Sequence, residues 1–295
     1  MNRLSELLQF YFGKKMDLFY KSFEDVFRGS RALIKQRLCY YLPLIHGLQV
    51  SFNDLTILDL GCGRGEWLEL LKEQKIHAQG VDLDEGMLSE CRNLDLNCIH
   101  SDVMVFLKGQ SDAYCEVITS FHLIEHLPFE VLKELIFECF RVLKPGGLLI
   151  LETPNCENIL VGSGSFYLDP THTNPLPSKL VSFLTIFCGF KKSDVHFLTL
   201  PWPNLDDVQP SLVKIFYGVG GDYAVIAQKE GDEDVCQLLE NFTRQNPKKD
   251  LHTLLREYDD RINHKALKIK KAIHILLKFF CIKHFIRAYK KLKYK

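Results

Sequence analysis

From Thr56 onward, short runs of β-branched and leucine residues alternate with stretches whose apolar positions recur every three or four residues. The short runs predict strands at 56–60, 77–81, 97–99, 116–119, 147–151, 195–198 and 223–227. The intervening periodicity predicts helices at 66–73, 86–92, 130–143 and 177–188, the last with Pro177 at its start and Gly189 past its end. "LKPGG" at 143–147 reads as a helix stop and turn before the next strand. Strands alternating with helices imply right-handed crossovers, so the expected fold is α/β, a doubly wound, mostly parallel seven-stranded sheet. Residues 1–50 read as an N-terminal helical segment, 51–229 as the main domain, 230–260 as a linker with a polar helix, and 261–295 as a basic helical tail.

Composition adds two constraints. With 46% hydrophobic and 25% charged residues, the chain has ordinary globular make-up. The formal net charge of zero hides an asymmetry: twelve of the 37 Lys and Arg fall between Arg261 and Lys295, where there is no Asp or Glu. Ten cysteines without a CxxC pair, behind no secretory leader pattern, fit a reducing compartment, and no apolar run reaches membrane-spanning length. These features point to a cytoplasmic protein.

Ligands of doubly wound sheets bind at the carboxyl ends of the strands, where the sequence places "ILDLGCGRGEW" at 57–67. Asp59-x-Gly61-x-Gly63-x-Gly65 is a strand, a tight turn and a helix start, with glycines that admit positive φ and close approach of a ligand. Position 66 is Glu, so the G-x-G-x-x-G of a dinucleotide site is absent, as is a phosphate-binding G-x-x-x-x-G-K-[ST]. Asp82 closes the second strand at the separation where an acid accepts ribose hydroxyls, with a helix N-cap as its other reading. Leu83 and Met87 are placed either against an adenine ring or in the core.

The glycine spacing resembles the first motif of class I S-adenosylmethionine-dependent methyltransferases, which have a Rossmann-like sheet. That resemblance implies S-adenosyl-L-methionine as cofactor, with Asp102 of "HSDV" at the adenine amino group and Val103, Phe121 and His122 on the same cofactor surface. "SFHLIEHLP" at 120–128, "LETPNCENILVG" at 151–162, "FYLDPTHTNPLP" at 166–177 and "GDYAVIAQK" at 221–229 look like the methyltransferases of bacterial O-antigen and polysaccharide biosynthesis. The N-terminal "FEDVFRGSRALIKQRLCYYLP" at 23–43 is similar to the segment preceding the sheet in that group. Some of its chain-terminating members carry a kinase domain, and nothing in this sequence resembles one.

Methyl transfer from a sulfonium is an in-line displacement, so what remains for side chains is positioning and the acceptor proton. His122, Glu125 and His126 stand at i, i+3 and i+4, with His172 of "DPTH" placed to face them; His126 or His172 is the candidate base and Glu125 its orienting acid. A structural role, pinning the DPTH loop, is the other reading. The same residues are metal-ligand types, but His122 stands where an ExxEH pattern has its leading acid, which argues against magnesium, and no metal is expected. Arg28, Arg31, Lys35 and Arg37 form a basic cluster suited to an anionic group: Arg28 to the cofactor carboxylate, Arg31 and Arg37 to substrate, or all to a solvated helix face. Tyr167, Asp169 and Asn174 are placed to contact a sugar.

The expected activity is O-methylation of a saccharide or lipid-linked glycan, at a hydroxyl or terminal phosphate. The alternatives are a small quinone-type acceptor and a nonenzymatic cofactor-binding scaffold. Apolar residues interleaved with lysines beyond Ile262 suggest an anionic membrane surface or a partner such as a polysaccharide assembly enzyme; no nucleic-acid module accompanies them.

Overall fold

The computed structural model describes residues 29–52, 54–198, 211–246 and 250–293. The chain divides into two compact units, one running to Pro201 and including Gly220–Lys248, the other comprising Trp202–Val219 and Lys249–Lys295.

The first unit is built on a seven-stranded sheet. Its strands are β1 (Ile57–Leu60), β2 (Ala78–Asp82), β3 (Cys98–His100), β4 (Cys115–Phe121), β5 (Leu143–Pro154), β6 (Lys192–Leu198) and β7 (Asp222–Gln228), in the order β3-β2-β1-β4-β5-β7-β6. Neighbours from β3 through β5 run parallel, whereas β7 is antiparallel to both β5 and β6. The helices of this unit are α1 (Arg31–Leu38), α2 (Leu42–Ser51), α3 (Glu66–Glu73), α4 (Glu85–Asn93), α5 (Val103–Lys108), α6 (Phe129–Val142), α7 (Ile159–Ser163), α8 (Ser178–Phe187) and, after an intervening helix of the second unit, α10 (Glu233–Gln245).

Alternation along the strands sorts the core into two faces. Ile57, Val117, Leu148 and Ile150 pack with Leu44, Ile45 and Leu48 of α2 and Leu239 of α10. Their neighbours Leu58, Ile118, Leu149 and Leu151 pack with Leu132, Leu135 and Ile136 of α6 and Val181 and Leu184 of α8. The apolar runs of β1, β4, β5 and β7 are therefore residues buried from both sides, whereas β2, β3 and β6 are only partly buried, and each predicted strand and helix is found with ends shifted by a few residues.

Local signals explain the ends. Ser30 accepts a hydrogen bond from the Leu33 amide and caps α1, and Asp84 does the same for α4 through Met87. The turn expected at LKPGG lies inside β5: Leu143 already pairs with Cys115, the register is interrupted, and pairing resumes at Val117 with Leu148, with Gly146 at a φ of 79°. Of the segment 230–260, α10 buries Val235, Leu239 and Phe242 against the sheet's first face.

The second unit contains α9 (Leu212–Gly218) and α11 (Leu251–Lys293). Ile215 and Val219 bury against Leu254, beside Leu251 and Tyr258.

Candidate active site

Strand order reverses between β1 and β4, and the carboxyl ends of β1, β4 and β5 meet there. Because β7 is antiparallel, its first residue, Asp222, arrives at the same end, opposite Pro154. A cavity of about 480 Å³ opens at this edge, lined by Asp59, Gly61, Phe121, His122, Glu152 and Asp222 among others.

The start of the glycine loop, Gly61 and Cys62, lines one side. Gly61, Gly63 and Gly65 have φ of 71°, 52° and 80°, a region in which side chains are strained. Gly65 has a second reason: a Cβ there would stand 2.6 Å from Cys91 Sγ and 2.8 Å from Leu96 Cδ1. Asp82 holds the loop, accepting from the Gly63 amide through Oδ2 and the Asp84 amide through Oδ1, each at 2.8 Å. A carboxylate has lone pairs beyond those two bonds with which to receive a diol. Asp59 is buried beneath the loop and accepts from Thr119 Oγ1 at 2.8 Å.

The other cofactor-site residues divide between the cavity and its flank. Phe121 and His122 line the cavity. Gly63, Gly65, Asp82, Leu83, Met87, Asp102 and Val103 are not among its lining residues: Gly63 and Gly65 continue the loop beyond Gly61, Asp82 ends β2, and the rest follow the ends of β2 and β3, with Leu83 exposed, Met87 and Val103 buried, and Asp102 Oδ1 capping α5 through the Met104 and Val105 amides. Arg28 lies outside the described residues.

Arg37 lines the cavity, ion-paired with Asp222 and 3.5 Å from Glu152. Arg31 instead donates to Glu69 and to the Arg64 carbonyl, and Lys35 pairs with Glu69 and Glu73, which clamps α1 onto α3. Neither Tyr167 nor Asn174 is a lining residue: Tyr167 is exposed, and Asn174 Nδ2 donates to the Leu127 carbonyl. Asp169 and His172 do line the cavity.

A buried ionic cluster forms the floor. His122 has a φ of 56°, a strained value for a residue with a side chain, and its amide donates to the Glu152 carbonyl. Its ring stands 3.4 Å from Glu125, 3.5 Å from Glu152 and 4.0 Å from Asp222. Burial works against the imidazolium, but the three carboxylates outweigh it and push the His122 pKa up to about 10. Burial likewise opposes ionisation of Glu125 and Glu152, and His122 holds both below the usual glutamate value. Tyr41 donates to Glu152, and burial together with that carboxylate raises its phenol.

Three of these residues, Tyr41, Glu152 and Asp222, carried no assigned role in the sequence. For Glu152 a signal existed: an acid at the end of the apolar run "LLILE" has to be paired when buried.

The DPTH loop supplies the remaining wall. Residues 124–126 form a single 3₁₀ turn, so His122 and His126 do not share a helical face. The amides of Thr173 and Asn174 donate to the Glu125 carbonyl, which seats the loop on that turn. His172 Nδ1 lies 2.7 Å from the Phe166 carbonyl, an acceptor only, so Nδ1 carries the proton and Nε2 is the basic nitrogen. Nε2 stands 3.8 Å from Glu125 Oε1 and 3.9 Å from Asp169 Oδ2. His126 Nδ1 is held by Thr171, and the two imidazole rings are 4.7 Å apart. Glu125, His126 and His172 bring ligand-type atoms within 4.8 Å of one another, as do His122, Glu152 and Asp222.

An open α/β sheet with a glycine loop, an acid at the tip of the next strand and a cavity at the switch point defines a nucleoside-cofactor enzyme fold. Residues 57–147 match the family described as "Methyltransferase domain". A solved S-adenosylmethionine-dependent methyltransferase from Archaeoglobus fulgidus is 32% identical, with a TM-score of 0.60, over 72% of this chain and 100% of that one. A probable S-adenosylmethionine-dependent methyltransferase from Mycolicibacterium smegmatis is 30% identical over 47% of this chain and 52% of its own length. A ubiquinone biosynthesis O-methyltransferase from Idiomarina loihiensis is 33% identical over 34% of this chain and 42% of its own. The chain spans about half the length of the curated relatives it matches. It belongs to the class I S-adenosylmethionine-dependent methyltransferases.

The site fits that family's cofactor. Gly61 presents backbone to the cavity, Asp82 holds the same loop through the Gly63 amide and retains acceptor capacity, and the buried Nε1 of the cavity-lining Trp67 has no hydrogen-bond partner among the described residues.

Proposed function

We propose that the protein is an O-methyltransferase whose acceptor is a saccharide hydroxyl. The hydroxyl part of the reading is supported by the His172 hydrogen bond to the Phe166 carbonyl, which leaves Nε2 as the basic nitrogen beside the cavity-lining Asp169 and the buried Glu125; the saccharide part rests on the resemblance of the DPTH segment.

S-adenosylmethionine supplies a methyl group on a positively charged sulfur, transferred with the sulfur keeping the electron pair of the broken bond. Gly61, with Asp82 bonded to the Gly63 amide behind it, would hold the adenosyl part of the cofactor, and the cavity-lining Arg37 and Trp67 would take the carboxylate of its methionine part. His172 Nε2 takes the proton of the acceptor hydroxyl as its oxygen bonds to the methyl carbon. Asp169 and Glu125 stabilise the resulting imidazolium, as a buried acid does for a catalytic histidine. General base catalysis of this kind is worth roughly two to four powers of ten in rate. Asp169 and Glu125 also disfavour a phosphate acceptor at this wall, since like charges repel.

A second reading has support of its own. Phe166, Leu168 and Val161 give the cavity an apolar side, and several curated relatives are named as ubiquinone biosynthesis O-methyltransferases. The test is incubation with methyl-labelled cofactor and two acceptor panels, oligosaccharides and catechols, using wild type and His172→Gln. Label in oligosaccharide that is lost with His172→Gln supports the proposal. Label in the catechols alone selects the second reading.

A further inference from the structure

Helix α11 extends 43 residues, about 65 Å at 1.5 Å per residue. Only its first turns share the core with α9; beyond them Ile262, Ile269, Ile273, Leu276, Leu277 and Phe280 are 45–66% exposed. At about 100° per residue these six fall within a stripe roughly 100° wide, the width of a burial face. Lys265 and Lys270 border the stripe, Lys268, Lys271 and Lys278 lie behind it, and Leu267, Ile275 and Phe279 stand among them. From Arg261 to the end of the sequence there is no acidic residue.

Charge decides between occupants. A second copy laid on the stripe would set these lysine borders against each other. Nucleic acid would neutralise the lysines and leave the stripe in water. An anionic lipid surface takes both, burying the apolar stripe while lysine stems reach up to the headgroups. No helix among the described residues is long and apolar enough to cross a membrane, so such a helix lies on the surface.

We propose that residues 262–280 of α11 form an interfacial helix that docks the protein on an anionic membrane surface. The proposal does not depend on the acceptor assigned above.

The test uses the full chain and flotation with vesicles of mixed phosphatidylglycerol and phosphatidylcholine, or of phosphatidylcholine alone. Wild type is expected to float with the anionic vesicles only, and less so as salt rises. Two variants separate the forces: Ile273→Asp with Leu276→Asp, and Lys265, Lys268, Lys270 and Lys271 all changed to Gln. Each is expected to weaken vesicle binding at least ~10-fold while cofactor binding stays unchanged. A Phe280→Trp reporter is expected to shift its emission to the blue on anionic vesicles.

Three results overturn the proposal. One is no flotation with anionic vesicles by wild type that binds cofactor. Another is vesicle binding that the double aspartate variant leaves intact. The third is a concentration-dependent dimer in sedimentation velocity that the same variant abolishes, which would give the stripe to a second copy.

Discussion

At the scale of single residues, the account rests on two histidines with opposite duties. His172 keeps a basic nitrogen available, so His172→Gln is expected to lower kcat by about two to four powers of ten with the cofactor Kd unchanged, measured by single-turnover transfer and calorimetry. A matching loss of cofactor affinity would make His172 a structural residue. Chelation tests the neighbouring possibility: the base role predicts that kcat survives EDTA, whereas loss reversed by a divalent ion would put a metal on Glu125, His126 and His172. His122, by contrast, is held charged. Its pKa is raised from 6.5 to about 10 on folding, so its contribution to stability is full below pH 6.5 and is lost as pH rises through 10. His122→Gln is therefore expected to be destabilised most at and below about pH 6.5, with the deficit shrinking toward pH 10 in urea titrations; parallel pH curves would contradict this.

The glycine spacing and Asp82 were legible in the sequence because their partners are near in the chain. The Arg37–Asp222 pair joins residues 185 apart, and only the antiparallel insertion of β7 brings them together, so no local pattern could announce it.

At the scale of elements, packing and cofactor binding meet in the loop between β1 and α3. Gly65→Ala forces a side chain into positive φ and against Cys91 and Leu96, with an expected cost of about 1–3 kcal/mol in urea denaturation. A neutral result would mean that α4 yields there. The sheet's strands were readable because β4 and β5 are buried on both faces, which demands continuous apolar runs. Less was legible where caps and turns decide. Helix α5 is one short element, started by Asp102, that apolar periodicity did not resolve within "DVMVFLK". The i, i+3, i+4 spacing of His122, Glu125 and His126 would share a face only in a helix, and His122 takes a left-handed conformation after which the segment makes a single 3₁₀ turn.

At the scale of the whole molecule, the acidic body and basic tail of the sequence correspond to different parts of the chain: the sheet unit carries the cavity, and α11 carries the unbalanced lysines. The family assignment rests on the sheet unit, while the acceptor rests on the DPTH wall, which lies beyond the matched residues 57–147. Fold and cofactor were thus readable from periodic burial and one loop, whereas the acceptor depends on side chains that converge from β4, β5, β7 and the DPTH segment.

The most direct measurement is isothermal calorimetry of the full chain with S-adenosylmethionine and its demethylated product, beside Asp82→Ala. The account predicts one site per chain for both molecules, and at least ~10-fold weaker binding in the variant, which is about 1.4 kcal/mol or more. Folded wild-type protein that binds neither molecule, or an Asp82→Ala variant that binds them as well as wild type, would contradict it.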